Sequence, residues 1–310
     1  MKTFIKFLLI ILPIFIVSCK NESKKQKDIA VNFATEVEPK KNLNIKEPSQ
    51  EFKEYWYAGK AEITSYKLEQ ARYGEIRKGQ AVLIYVTEDF LPNKQAKADN
   101  KNPNNISVLK LNATKTFNTG LYPYSIMQST FYPVSNDKHA IKVSGSIQEW
   151  CGHVYAQLNN KEQFEIKSYS YFESEGDQNF KLDKAILENE LWTQLRINPK
   201  SLPTGNLQII PSLEYSRLKH VELKAYIATA TLSRNSYSID YPELNRTLFI
   251  EFNPKFPHHI LGWEETFKSG FGKNAKTLTT KATKLETIKS AYWGKNSNKD
   301  EIHRESLKLN

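Results

Sequence analysis

The sequence predicts a mainly β protein: antiparallel curved sheet or sheets, half-barrel-like, with one short helix near 183–195. Three observations carry that expectation. Apolar and polar residues alternate with period two over most of the chain, the mark of half-buried strands. Clusters of Gly, Asn, Asp and Pro separate the alternating runs, as at 100–105, Asn159–Asn160 and Gly176–Asp177. Helical spacing stands out in one segment only. The composition agrees, since 39% of the 310 residues are hydrophobic and 12% aromatic, enough for a buried core and too many for a disordered chain. Two Cys exclude a disulfide-stapled fold and a four-cysteine zinc site.

Residues 1–18 stand apart from the fold. Lys2 and Lys6 precede an apolar run from Phe7 to Val17, broken only by Pro13. A membrane span needs about 20 apolar residues, so this run fits a signal-peptide core instead. Ile16, Val17, Ser18 and Cys19 resemble the lipobox of bacterial lipoproteins. That resemblance implies cleavage before Cys19 and acylation of its thiol and amine. Lys20 follows, where an Asp would commonly retain a lipoprotein in the inner membrane, and this favours the outer membrane. The segment after it is mixed rather than acidic, which favours the periplasmic face over surface display.

Residues 19–54 read as a flexible tether, polar and interrupted by Pro39 and Pro48. A chain of that length reaches roughly 30 Å. The body opens with Tyr55, Trp56 and Tyr57, and residues 55–182 form a first β-rich half. Ala81, Leu83 and Tyr85 alternate with Val82, Ile84 and Val86, so that strand is expected to be covered on both faces. Ile141, Val143 and Ile147 alternate with Lys142, Ser144 and Gln148, and Phe164, Ile166 and Phe172 oppose Glu165 and Lys167.

Residues 183–199 are expected to form a helical connection. Ile186, Leu187, Glu190, Leu191 and Gln194 fall at helical spacing, Asp183 suits the N-cap, and Pro199 and Pro203 stop continuation. A second β-rich half follows over 200–310, in which Val221, Leu223, Ala225 and Ile227 oppose Glu222 and Lys224. Its end, 268–310, is a basic tail with ten Lys and Arg against four Asp and Glu. One large sheet and two packed domains are both compatible with this pattern.

Chemistry is sparse. Trp150, Cys151, Gly152 and His153 place a thiol two residues from an imidazole, the nearest approach to a nucleophile with its base. The competing expectation is a packed strand corner at Gly152 with a buried, inert Cys151. Glu173, Glu175 and Asp177 flank Gly176 without calcium-loop spacing and suit a polar turn. The six His show no metal-binding spacing, and Glu264–Glu265 are sequence neighbours only. No phosphate loop, nucleophile elbow or dinucleotide fingerprint occurs, so no cofactor and no catalytic residue is assigned.

Several strings carry a resemblance. They are Glu54-Tyr-Trp-Tyr-Ala-Gly-Lys60, Gln148-Glu-Trp-Cys-Gly-His153, Leu261-Gly-Trp-Glu-Glu265, Phe267-Lys-Ser-Gly-Phe-Gly272, Ser290-Ala-Tyr-Trp293 and Asn296-Ser-Asn-Lys-Asp300. Together they resemble an uncharacterised lipoprotein family of the Bacteroidota, often labelled "septum formation inhibitor Maf". Genuine Maf proteins are cytosolic α/β nucleotide pyrophosphatases with a Ser-x-Ser-Pro-Arg-Arg signature. This chain has no Arg-Arg pair and no such string, so no Maf residue carries over.

The expectation is therefore a cell-envelope lipoprotein, held to the membrane by lipid on Cys19. It acts as a non-enzymatic binding or assembly module for an amphipathic ligand or an envelope protein. Nucleic acid is not an expected partner. The alternative is an envelope hydrolase with Cys151 and His153 at its site.

Overall fold

The structure, a computed structural model, describes residues 47–135 and 138–309. The expected signal segment, 1–18, Cys19 and the expected tether up to residue 46 lie outside the described residues.

Helix α1 (Gln50–Trp56) leads into the long hairpin β1 (Ala61–Arg72) and β2 (Glu75–Leu91), beside which lies the two-residue β3 (Ala96–Lys97). Then come β4 (Ile106–Thr119), β5 (Tyr122–Pro133), β6 (Lys142–Glu149), β7 (Gly152–Asn160), β8 (Phe164–Ser170) and β9 (Gln178–Leu182). A short β10 (Ile186–Leu187) feeds helix α2 (Glu188–Ile197). Strand β11 (Gly205–Ile210) and helix α3 (Leu213–Lys219) follow. The rest is β12 (Tyr226–Leu232), β13 (Ser236–Tyr241), β14 (Arg246–Phe252), β15 (Ile260–Ser269), β16 (Lys276–Ser290) and helix α4 (Ile302–Ser306).

All these strands belong to one 16-stranded sheet, ordered β10-β11-β12-β13-β14-β15-β16-β1-β2-β4-β5-β6-β7-β8-β9, with β3 on β2. Every pairing is antiparallel except β10 with β11. The two expected halves are thus one sheet, joined where β16 pairs with β1, Ala61 opposite Ser290. The edges, β9 and β10, are consecutive in sequence, and the sheet is not closed into a barrel. Tight turns keep the meander in register. At Tyr73–Gly74 both residues have positive φ (55° and 78°), the conformation that matches the twist of a two-residue hairpin.

The core shows the curvature. Ile126 on β5 and Ala228 on β12 belong to one buried cluster, with Leu191 and Leu195 of α2 among them. Eight strand spacings of 4.7–4.9 Å would hold β5 and β12 roughly 40 Å apart in a flat sheet. The sheet therefore curls around α2, which occupies its concave face. The convex face of β1 and β2 is covered too: Ala61, Ile63 and Val86 pack with Leu307, with Val82, Ile84 and Leu309 against them. That confirms the expected two-sided burial of β2. The core and the strand pairing all lie within one compact unit, Leu43–Asn310, which holds what it needs to fold on its own.

The structure corrects several expectations. The helix starts at Glu188, not near Asp183, because Ile186 and Leu187 pair with β11, and the Glu190 carboxylate reaches back to the Leu187 N–H (3.1 Å). Asp183 instead accepts from Gln163. The helix is also not alone. α1 takes the end of the expected tether together with Tyr55 and Trp56, because Ser49 caps it and Phe52 and Trp56 bury one face. α3 and α4 were not foreseen. The segment at 221–225 is not a strand; Leu223 and Ala225 cover a second core over Leu158, Ile166 and Ile210. In β12 the phase is reversed: Tyr226, Ala228 and Ala230 point inward and Ile227 is 67% exposed. The first part of the basic tail is β16, inside the sheet, with Lys281 outward and Ala282 inward.

Candidate functional site

Charged residues sit inside the curl at positions where alternation calls for apolar side chains. Each is held by a partner from a distant element. Arg196, on the last turn of α2, makes two parallel hydrogen bonds to Glu62 of β1, Nη1 to Oε1 and Nη2 to Oε2, both 2.7 Å. Its guanidinium lies over the rings of Trp56 (5.0 Å) and Tyr85 (4.6 Å). Its Nε donates to the Pro257 carbonyl (2.9 Å). The Tyr55 hydroxyl donates to Glu62 Oε2 at 2.6 Å, and His259 Nδ1 lies 3.4 Å from the same oxygen. Burial alone would raise the Glu62 carboxyl. The Arg196 charge and its two hydrogen bonds, with His259 close by, overcome it and hold Glu62 well below the usual carboxylate range.

A second arginine repeats the arrangement. Arg246, at the start of β14, donates through Nη1 and Nη2 to both oxygens of Glu188, and through Nε to Glu265 (2.7 Å). Tyr241 donates to Glu188 Oε2 at 2.8 Å, and the Tyr215 ring lies 4.0 Å from the guanidinium carbon. Burial would raise Glu188, but Arg246 lowers it. Nearby, Lys115 donates to Glu214 (2.7 Å) and Gln128 donates to its other oxygen (3.0 Å). Burial raises the Glu214 carboxyl in spite of Lys115.

These groups enclose a cavity of about 60 Å³ between Lys115, Gln128, Trp192, Glu214 and Glu265. It is too small for an organic ligand, which takes roughly 300–1,000 Å³. Each carboxylate has a cation as partner: Glu62 has Arg196, Glu188 and Glu265 share Arg246, and Glu214 has Lys115. Two of the pairs, Arg196–Glu62 and Arg246–Glu188, hold α2 to β1 and β14, while Lys115–Glu214 holds α3 to β4, and a buried pair costs most when one partner is lost.

A larger space opens where α2 ends. A groove of about 770 Å³ is lined by Phe52, Tyr132, Val134, Ile197, Leu232 and Phe252, with Phe256 and Pro254 on one wall. Lys200 and Arg234 stand exposed among its lining residues, together with Glu47, Glu51 and His258. Glu47 is paired with Lys53 (3.1 Å). His258 is half-buried, and burial lowers the pKa of its imidazole. The Arg196 cluster supports this wall: Arg196 holds the Pro257 carbonyl, and Tyr55 meets the Phe256 ring edge-on at 5.6 Å.

The expected candidates fall elsewhere. Cys19 lies outside the described residues. Cys151 is exposed, not buried, because it sits in the β6–β7 turn, where its N–H donates to Glu149 (2.8 Å). A hydrogen bond to Glu149 pushes its thiol pKa up. His153 is exposed on β7, opposite Gln148, and no hydrogen bond joins it to Cys151 among the described residues. The turn at Gly152 is tight but lies at the surface: φ is 151° and an added Cβ would fall 2.5 Å from the Tyr171 ring, while Trp150, Cys151 and Tyr171 are exposed. Glu175 closes its turn by pairing with Arg217 (3.1 Å) and His220 (2.7 Å). Glu264 faces outward to Lys281 while Glu265 turns inward to Arg246. Among the described residues no three metal-ligating side chains cluster.

No family model matches the chain, and no curated protein matches it. A similar solved structure is the beta-barrel-like protein of domain of unknown function DUF1849 from Brucella abortus. The TM-score is 0.43 at 5% identity, over 74% of this chain and 97% of that one.

Proposed function

We propose that the protein is a non-enzymatic binding module of the cell envelope, anchored by lipid on Cys19 and facing the periplasm from the outer membrane. Its ligand is amphipathic: an acyl chain with an anionic head. The groove at the end of α2 carries this reading. Its volume lies in the range that takes a ligand of this size, its walls are aromatic and aliphatic, and Lys200 and Arg234 supply charge where a head group would emerge. The membership suggested by the sequence strings, a lipoprotein family of the Bacteroidota, fits the same reading.

The signal segment and Cys19 support anchoring. Among the described residues no helix is long and apolar enough to cross a membrane. In cell fractionation, Cys19→Ala is expected to move the protein from the membrane pellet to the soluble periplasmic fraction. Pelleting that survives a high-salt wash would sink the anchoring half of the proposal. The exposed Cys151, with its thiol held protonated beside Glu149, does not favour the hydrolase alternative.

A further inference from the structure

The end of the sheet opposite α1 is formed by hairpin tips, and three neighbouring tips each hold out a large apolar side chain. Phe271 on the β15–β16 turn is 69% exposed, Leu121 on the β4–β5 turn 82%, and Tyr73 on the β1–β2 turn 37%. The tips are braced against one another. Gly270 packs on the Gly74 backbone, where an added Cβ would meet Gly74 N at 3.3 Å. The Tyr73 ring lies 6.0 Å from Phe271, and its hydroxyl is 2.8 Å from that of Tyr124, near the start of β5. Phe271 is flanked by Gly270 (φ +92°) and Gly272 (φ +55°), backbone conformations that L side chains rarely adopt. The loop is thus shaped to present Phe271 rather than to bury it.

The tip that carries Phe271 is basic. Lys268, Lys273 and Lys276 flank Phe271, and the sequence contains no Asp or Glu from 266 to 285. The acidic residues nearest the other two tips are Glu75, which closes the Tyr73 hairpin and is paired with Arg77 at 2.7 Å, and Glu149, at the end of β6. Apolar side chains held out on successive hairpin tips, with lysines on the Phe271 tip, suit a fluid surface better than a shaped protein partner. A protein partner would ask for one contiguous packed patch. Aromatic and aliphatic side chains beside Lys are the composition that enters a headgroup layer.

We propose that these three tips dock on an anionic lipid surface, with Phe271 and Leu121 reaching the acyl boundary and the lysines meeting the head groups. The interaction is separate from the α2 groove and does not depend on it.

The test is co-sedimentation of residues 43–310, which lack the acyl anchor, with vesicles of phosphatidylcholine alone or mixed with phosphatidylglycerol. Binding to the mixed vesicles is expected, and little to the neutral ones. Phe271→Ser with Leu121→Ser should lower partitioning by at least roughly a hundredfold, as the loss of two buried apolar side chains requires. Lys273→Gln with Lys276→Gln should remove the preference for anionic vesicles. Both pairs change exposed side chains, so an unchanged thermal unfolding curve shows that the fold is intact. Three results would each overturn the proposal. They are no sedimentation with anionic vesicles, equal sedimentation with both kinds, and full binding by the Phe271/Leu121 variant. The last would leave plain lysine attraction as the account.

Discussion

Arg196 and Glu62, 134 residues apart in sequence, meet in a buried pair of two parallel 2.7 Å hydrogen bonds. The pair ties the end of α2 to the first turns of β1. Through the Pro257 carbonyl it also fixes the loop that walls the groove. An arginine at the last turn of a helix is also well placed for the helix dipole, whose negative end lies there.

Removing Arg196 should therefore cost more than its contacts suggest, because Glu62 would be left buried and charged. Arg196→Met is expected to destabilise by about 3–5 kcal/mol, the range for breaking one side of a buried pair. Adding Glu62→Gln should restore a good part of that loss. Urea unfolding of the single and double variants measures both. A double variant no more stable than Arg196→Met alone would show that the pair is not what the cost reflects.

Stability should fall in acid, and Glu188 should carry part of the slope. Its folded pKa is lowered against Arg246, from an unfolded value of about 4.3. Its contribution is complete above that unfolded value and disappears as pH falls from there toward the folded one. Glu214, raised by burial, acts in the opposite sense, adding stability at low pH that is lost as pH rises through its folded value. Unfolding free energies at pH 6 and pH 3 should differ less in Glu188→Gln than in the wild type. Equal differences would remove Glu188 from the account.

Strand character was legible where one rule applied along a whole element. The alternation of β2 gave both of its covered faces, because Val82, Ile84 and Val86 are as apolar as Ala81, Leu83 and Tyr85. It failed at 221–227, where apolar residues serve a loop that covers a core without joining the ladder. Helices α1 and α3 have seven residues each, too short for periodicity to register, and only the caps Ser49 and Ser212 announce them. The two arginine sites did leave a trace. Arg246 shares the inward phase of Leu248, Ile250 and Phe252, so a charge stands where the pattern asks for an apolar residue. Its partners could not be named, because α2 and β14 meet only through the curl of the sheet. The groove was hidden for the same reason: its walls come from five separate stretches of chain.

Cys151 gives a sharp check on the turn geometry. In residues 43–310 it is the only thiol, and it should react with a maleimide in the native state, since no packing shields it. The reaction should still be slower than for a free thiol, because the nearby Glu149 disfavours the thiolate. Glu149→Gln should speed native labelling near neutral pH and move the midpoint of the rate–pH profile downward. A rate unaffected by that change, or labelling only in denaturant, would contradict the exposed turn.

The groove yields the most direct check on ligand binding. Leu232 is half-buried in its wall at the end of β12 and also packs against the main core, so Leu232→Asp places a charge on the apolar lining and is read beside an unfolding curve that shows the fold intact. A fluorescent fatty acid should bind residues 43–310, and Leu232→Asp should weaken it at least about tenfold, the cost of leaving a carboxylate beside an acyl chain. Arg234→Ala with Lys200→Ala should act differently. It should weaken the fatty acid several-fold yet leave the matching fatty alcohol unchanged, because only the acid has a charge for those two residues to meet. Raising salt should mimic the second pair and not the first, since exposed charges are screened over about 8–10 Å and apolar contacts are not. If acid and alcohol lose affinity equally in the Arg234/Lys200 variant, the head group is not held at that rim. If Leu232→Asp binds as the wild type does, the acyl chain lies elsewhere, and the groove loses its place as the binding site.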